Sequence, residues 1–291
     1  MDERDWLAER FEEHRPRLRA VAYRMLGSTS EAEDAVQDAW ILLNRSDARG
    51  IENLEAWLVT VVGRVALNML RSRRRRREEP LDVRLPDPIV DAAAGVDPEH
   101  EALLADSVGL ALLVVLEQLT PAERLAYVLH DMFAVPFEQI GAILERSPDA
   151  ARQLASRGRR RIRGADPTPD ADPAAQLDVV RAFLAAAREG DFEALVAMLD
   201  PGVVRRHDTG TGEVVEVRGV EHVLAGARAA VQMDLDARPA LINGAAGWVA
   251  VRDEQVYAIA ALTVQRGRIT AMDILLDPAR LAAVDITLLD N

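Results

Sequence analysis

The chain has 291 residues, is 49% hydrophobic and contains no cysteine; it has room for two or three compact domains, and disulfides, thiolate metal sites and thiol chemistry are excluded. No apolar run approaches the length of a membrane span and no basic stretch with an apolar core opens the chain, so a cytoplasmic protein with no membrane contact is expected. The formal net charge of −13 counts against a nucleic-acid partner only as a sum: all 35 cations are Arg, six in residues 71–77 and six in 150–163, while acids gather in 1–13, 31–38 and the C-terminal third.

Two loop-like stretches divide the chain. Residues 79–98 (EPLDVRLPDPIVDAAAGVDP) carry four Pro and no helical period, and residues 164–173 (GADPTPDADP) form a Pro/Asp spacer. The expected domains are 1–78, 103–165 and 174–291, with 79–102 as a flexible linker. In the first, Ser28-x-x-Glu31 and Ser30-x-x-Glu33 match the capping box and predict a helix start. Ala32, Ala35, Val36, Ala39, Trp40 and Leu43 then recur at helical spacing, with Glu33, Asp34, Gln37 and Asp38 opposite. Asn53 is a plausible cap for a further helix with an apolar stripe of Leu54, Trp57, Leu58, Val61, Val62, Val65 and Met69. Its outer face carries Arg64, Asn68 and Arg71 and runs into the cluster containing Arg74 and Arg75.

In the second block Leu103 to Leu119 reads as an apolar helix. Thr120-Pro121-Ala122-Glu123 combines a capping box with Pro at the first helical position, predicting a helix to about Met132. Pro136 starts a short helix through Leu144, with Phe137, Ile140 and Leu144 inward. Ser147-Pro148 opens another to Ile162. Ala151, Leu154, Ala155, Gly158 and Ile162 form its inner stripe; Arg152, Gln153, Ser156, Arg157, Arg159 and Arg160 face out. A short helix, a tight turn and such a helix describe a helix-turn-helix. The plainer reading is a three-helix bundle with a basic face, but like charges at i, i+4 destabilise a helix and phosphates would relieve them. On that reading Arg152, Gln153 and Ser156 reach base edges, while Arg157, Arg159, Arg160 and Arg163 hold phosphates.

The third block changes period. Helices at 174–188 and 191–199 meet at Gly190, with Asp191 as cap. Strands are predicted at 203–207, 214–218, 239–243, 247–251, 255–264 and 268–276, a helix at 219–231, and a hairpin turn at Arg266-Gly267. Helices followed by a mostly antiparallel sheet make this block α+β.

Taken together, two helical DNA-binding modules joined by a linker resemble the bacterial extracytoplasmic-function sigma factors. Residues 32–40 (AEDAVQDAW), with Glu33, Asp34, Gln37 and Asp38, look like the segment that grips the clamp helices of core RNA polymerase. Residues 53–58 (NLEAWL) and the helix through Asn68 and Arg71 look like the part that melts and reads the minus-ten region. Residues 119–124 (LTPAER) and the helix-turn-helix resemble the module that reads the minus-thirty-five element. The resemblance implies promoter DNA and polymerase as partners.

The third block resembles the SnoaL-like domain, a cone-shaped α+β fold, through residues 189–195 (EGDFEAL) and 199–201 (LDP). A sigma subfamily carries this domain as a regulator in cis. Its Trp-Leu-Pro-Glu-Pro linker motif is matched by Arg84 followed by Leu85, Pro86, Asp87 and Pro88. Its C-terminal Asn-Pro-Asp-Lys-Leu is matched by Asp277, Pro278, Ala279, Arg280 and Leu281. An Asp-Gly-Gly-Gly-Lys loop has a weaker counterpart in residues 208–212, where Asp208 is kept and the Lys is not. The fold also hosts enzymes, for which His207, Asp208, Tyr257 and Asp273 are the available groups, and no pair of them has a diagnostic spacing. No catalytic residue, metal site or cofactor is expected, and a small-molecule ligand in this domain is compatible with the resemblance. The expected function is an alternative sigma factor with a regulatory C-terminal domain. A ligand-responsive helix-turn-helix repressor and a SnoaL-type isomerase with a DNA-binding appendage stand as alternatives.

Overall fold

A computed structural model describes residues 3–46, 51, 53–76, 84–93, 109–165, 170, 172–211 and 214–284. They gather into two compact units: the described residues of 1–81, 102–106 and 115–166 form one, those of 82–101, 107–114 and 167–291 the other.

The first unit is helical. Helices α1 (Glu3–Leu26), α2 (Thr29–Arg45) and α3 (Leu54–Arg76) pack on one another around Leu18, Val21, Met25, Leu43, Leu58 and Leu67. The Ser28 hydroxyl caps α2 by accepting from the Glu31 amide, and the Asn53 side chain accepts from the Ala56 amide at the start of α3. The buried side of α3 is Leu58, Val59, Val62, Ala66, Leu67 and Leu70, so the expected stripe is displaced: Trp57, Val61, Val65 and Met69 are only half-buried. The cause is packing on two sides, since α3 meets α1 and α2 and also the helices that follow.

Helix α4 (Gly109–Glu117) begins in the second unit and ends in the first. The expected helical residues 103–108 lie outside the described residues. Next come α5 (Pro121–Tyr127), a π-helical turn (Val128–Met132), α6 (Phe137–Leu144) and α7 (Pro148–Ala165). The Thr120 capping box forms in full, with Glu123 returning to the Thr120 amide and hydroxyl. Between α6 and α7 the turn is tight: Glu145 sits at φ 56°, and a Cβ on Gly141 would lie 2.7 Å from the Arg146 carbonyl oxygen. Only glycine fits there. On α7 the buried residues are Ala151, Leu154, Ala155, Gly158 and Ile162, the stripe read from the sequence.

The second unit is α+β. Helices α8 (Pro173–Glu189), α9 (Phe192–Met198) and α10 (Val220–Gln232) cover one face of a mixed seven-stranded sheet, and Leu177, Val180, Phe183, Leu184 and Val223 pack there against Leu262, Met272 and Ile274. The strands are β1 (Val90–Ala92), β2 (Leu199–Asp208), β3 (Val214–Arg218), β4 (Asp236–Ile242), β5 (Ala245–Arg252), β6 (Gln255–Gln265) and β7 (Arg268–Leu275), in the order β1-β4-β5-β6-β7-β2-β3. Only β2 and β7 pair in parallel among the described strands. The hairpin at Arg266-Gly267 has φ of 52° and 70°, and Asp170 of the Pro/Asp spacer accepts from both turn amides.

One expectation is overturned here. The segment taken as flexible linker contributes β1, which lies antiparallel to β4 with Val90, Asp91 and Ala92 opposite Ile242, Leu241 and Ala240. The Asn243 amide donates to the Ile89 carbonyl, and the Ile89 amide donates to the Asn243 side chain. The described part of the linker is therefore a bonded edge of the C-terminal sheet.

Candidate nucleic-acid interface

On α3, Arg64, Asn68, Arg71 and Arg75 fall at i, i+4, i+7 and i+11, so they form one exposed stripe about 16 Å long, with Arg74 to its side. None of these five makes an ion pair or hydrogen bond among the described residues. Their neighbour Arg73 behaves differently: it pairs with Glu31 and donates to the Leu26 carbonyl at 3.3 Å, fastening α3 to its partners. Arg77 lies outside the described residues.

On α7, Arg152, Gln153, Ser156, Arg160 and Arg163 are exposed, and Arg152 pairs with Asp149 and lies over the Phe137 ring. The relief of charge that the sequence assigned to phosphates comes in part from distant acids. Glu123 accepts from Arg157 at 3.0 Å and from Arg161 at 3.2 Å, and Asp131 pairs with Arg159. Burial pushes the Glu123 carboxyl up, yet the Thr120 hydroxyl and amide, Arg157 and Arg161 together hold it below the usual carboxylate range. Arg157 thus stands on the flank of the helix with Arg161, and Arg159 is half-buried, whereas Arg160 and Arg163 project free among the described residues.

On α2, Asp34, Gln37 and Asp38 are exposed as one face, but Glu33 is turned toward α1 and pairs with Arg15 and Arg19. The same face continues into Ile41 and Leu42, 41% and 42% exposed, which the sequence reading passed over. Two large apolar residues beyond the acidic turn, next to the buried Leu43, were the available signal.

Two helical modules share the first unit, and they touch. A Cβ on Gly63 of α3 would lie 3.1 Å from Leu129, and Arg124, fully buried, donates to the Arg24 carbonyl of α1 and pairs with Glu117 at 2.8 Å. Arg17 donates to the Phe133 carbonyl.

In the second unit the candidate regulatory residues converge. Helix α11 (Pro278–Leu281), capped by Asp277, presents Arg280. Its guanidinium donates to Asp87 (2.6 Å), to the Leu85 carbonyl (2.7 Å) and to Asp208 (2.8 Å). The Asp208 carboxylate, in a residue 2% exposed, also accepts from the amides of Leu85 and Gly210. Gly210, at φ 78°, has no room for a side chain: a Cβ would lie 2.5 Å from the Asp277 carboxyl carbon. Leu85, Pro86 and Leu281 are buried and Pro88 half-buried, while Pro278 is exposed. Gly212 lies outside the described residues. The enzyme candidates are scattered by contrast. Asp208 belongs to this clamp, Tyr257 meets Arg252, and Asp273 faces Arg206 at 3.0 Å with its carboxyl raised by burial.

Among the described residues no helix is long and apolar enough to cross a membrane, and no cluster could hold a metal ion. Residues 10–76 match the model of Sigma-70 region 2, and residues 109–162 match that of Sigma-70, region 4. The probable sigma factor SigI of Mycobacterium tuberculosis is 33% identical over 97% of both chains, and SigJ of the same organism is 36% identical over 90% of this chain and 89% of its own. The crystal structure of M. tuberculosis SigJ superposes with a TM-score of 0.75 at 33% identity, covering 94% of this chain and 98% of that one. With both region models in order and relatives matched along nearly its whole length, the chain belongs to the extracytoplasmic-function RNA polymerase sigma factors: an alternative sigma factor that binds core polymerase and promoter DNA to direct transcription initiation, extended by a C-terminal α+β domain.

Proposed function

We propose that this sigma factor is governed in cis, by a C-terminal domain that holds the segment joining its two promoter-reading modules. The observation that carries the reading is the Arg280 clamp: one side chain binds Asp87 and Leu85 of the linker and Asp208 of the sheet. Elements centred at minus ten and minus thirty-five lie about 25 base pairs apart, or about 85 Å along the duplex. Modules in contact at Gly63 and Leu129 have to separate to reach both. A linker with its middle bonded into a sheet cannot supply its full extension of about 3.3 Å per residue. Release of the clamp therefore lengthens the usable chain between modules.

In this reading Arg64, Asn68, Arg71, Arg74 and Arg75 meet the minus-ten region, Arg152, Gln153 and Ser156 read base edges upstream, and Arg160 and Arg163 hold phosphates. Asp34, Gln37 and Asp38, joined by Ile41 and Leu42, dock on the clamp helices, and Glu33 holds α2 to α1. The protein acts in the cytoplasm and its C-terminal domain performs no chemistry in initiation.

The test is promoter-specific transcription by core polymerase with the full chain, chains ending near 165 and 276, and full-length Arg280→Gln. The expected outcome is that all three altered forms differ from the full chain in the same direction. Equal output from all four overturns regulation in cis.

A further inference from the structure

Adjacent residues on β2 carry opposite fates. Arg206 and Arg205 point to opposite faces of the sheet, since Arg206 lies beside Asp273 and Arg205 beside Met272 of β7. The fold gives Arg206 two carboxylates, Asp273 and Glu216. It gives Arg205 none. Arg205 lies on the helix-covered face, half-buried, and makes no ion pair or hydrogen bond among the described residues. Its guanidinium lies against Gly226 of α10, where a Cβ would meet it at an ordinary van der Waals distance of 3.5 Å. Burial depresses its pKa, and no acid among the described residues offsets the shift.

His207 is the next residue on that face, about 7 Å along the strand. Its Nδ1 is buried without a hydrogen-bond partner, and burial followed by the Arg205 charge lowers its pKa, which favours the neutral ring. The row of cross-strand neighbours runs from His207 through Ile274 and Ala260 to Trp248, whose Nε1 is likewise buried and unpartnered. A half-buried cation without a counter-charge and two buried ring nitrogens without partners lie on one apolar face. Elsewhere in this domain half-buried guanidinium groups are matched, as Arg280 and Arg206 are.

We propose that this face of the C-terminal domain binds a small organic carboxylate with an apolar body, its anionic end on Arg205 and His207. The carboxylate supplies the missing charge to Arg205 and an acceptor to an N–H of His207 in its Nδ1–H tautomer. The apolar body lies toward Ile274 and α10, and Trp248 marks the far end of the row. A bare inorganic anion fits less well, because the walls are hydrocarbon: Ile274, Met272 and Val223 belong to the domain's core.

The test is calorimetric titration of the full-length protein with 2-naphthoate, its neutral counterpart 2-naphthalenemethanol, and inorganic phosphate. Naphthoate is expected to bind one site per chain, at least tenfold tighter than the alcohol or phosphate. Arg205→Gln is expected to weaken naphthoate at least tenfold, and Arg218→Gln, which removes an exposed Arg from the neighbouring strand, to leave it unchanged. No naphthoate binding at millimolar concentration, equal binding of the alcohol or phosphate, or unchanged binding by Arg205→Gln overturns the proposal. The comparison of three ligands on the unaltered chain stands even if Arg205→Gln fails to fold. Binding is read directly, so its failure leaves regulation through the Arg280 clamp untouched.

Discussion

Buried Glu123 and half-buried Arg280 each gather several partners onto one group, and each therefore concentrates the effect of a single substitution. Glu123, 4% exposed, serves the Thr120 cap and holds Arg157 and Arg161. Its native pKa lies below the unfolded one, so its contribution is present above the ordinary glutamate value of about 4.3 and is lost as pH falls through the native value. Glu123→Gln is expected to cost about 2 kcal/mol at pH 7, with the gap to the unaltered protein closing below pH 4. Denaturation curves at pH 7 and pH 3 check this, and a gap undiminished at pH 3 would show that the charge is not the source. Arg280→Gln leaves Asp208 buried beside the linker without its cation, and the C-terminal domain is expected to lose about 3–5 kcal/mol. Arg280→Lys keeps the charge but not the fork that reaches Asp87, Leu85 and Asp208 together, so urea unfolding should place it between the two.

Along α7 the structure sorts arginines that look alike in sequence. Arg160 and Arg163 project without partners among the described residues, while Arg157 is tied to Glu123 and Arg159 to Asp131. Each phosphate contact adds about 0.9 to the slope of log affinity against log salt. Arg160→Ala and Arg163→Ala should each lower that slope by about 1 in holoenzyme–promoter titrations, and Arg157→Ala should instead lower the melting temperature with the slope kept. A slope loss for Arg157→Ala equal to the other two would return it to the phosphate contacts. The caps at Ser28, Asn53, Thr120 and Asp191 and the inner stripe of α7 were legible in the sequence because their partners lie within one or two turns. The pairing of β1 was not, since Ile89 meets Asn243 across 154 positions and a short edge strand carries no alternation of its own. The α3 stripe was misplaced because a helix packed on two sides is apolar around too wide an arc to show its centre. The clamp motifs were recognised by resemblance, but that Arg280 would reach three partners at once had no counterpart in periodicity or spacing.

For the whole molecule the question is what keeps the helical modules together, since the proposed regulation has initiation draw them apart. Their contact combines a close approach at Gly63 with a buried guanidinium at Arg124 that reaches the Arg24 carbonyl through Nε and Glu117 through Nη1 and leaves Nη2 without a partner among the described residues. A side chain at position 63 meets Leu129 at 3.1 Å and Leu125 at 3.5 Å, on a side of α3 about 110° around the helix from the stripe of Arg64, Asn68, Arg71 and Arg75. Gly63→Phe therefore acts as a wedge between modules while leaving the exposed arginine stripe unaltered, and a helical glycine replaced by a better helix former does not weaken α3 itself. If closure limits activity, the wedge should raise the radius of gyration in solution scattering and raise promoter-specific transcription. Combined with Arg280→Gln it should add little, because both changes relieve the same constraint. Additive gains would mean that linker capture and module contact restrain the factor independently, and a larger radius without more transcript would show that the closed contact is a resting arrangement that polymerase opens at no cost.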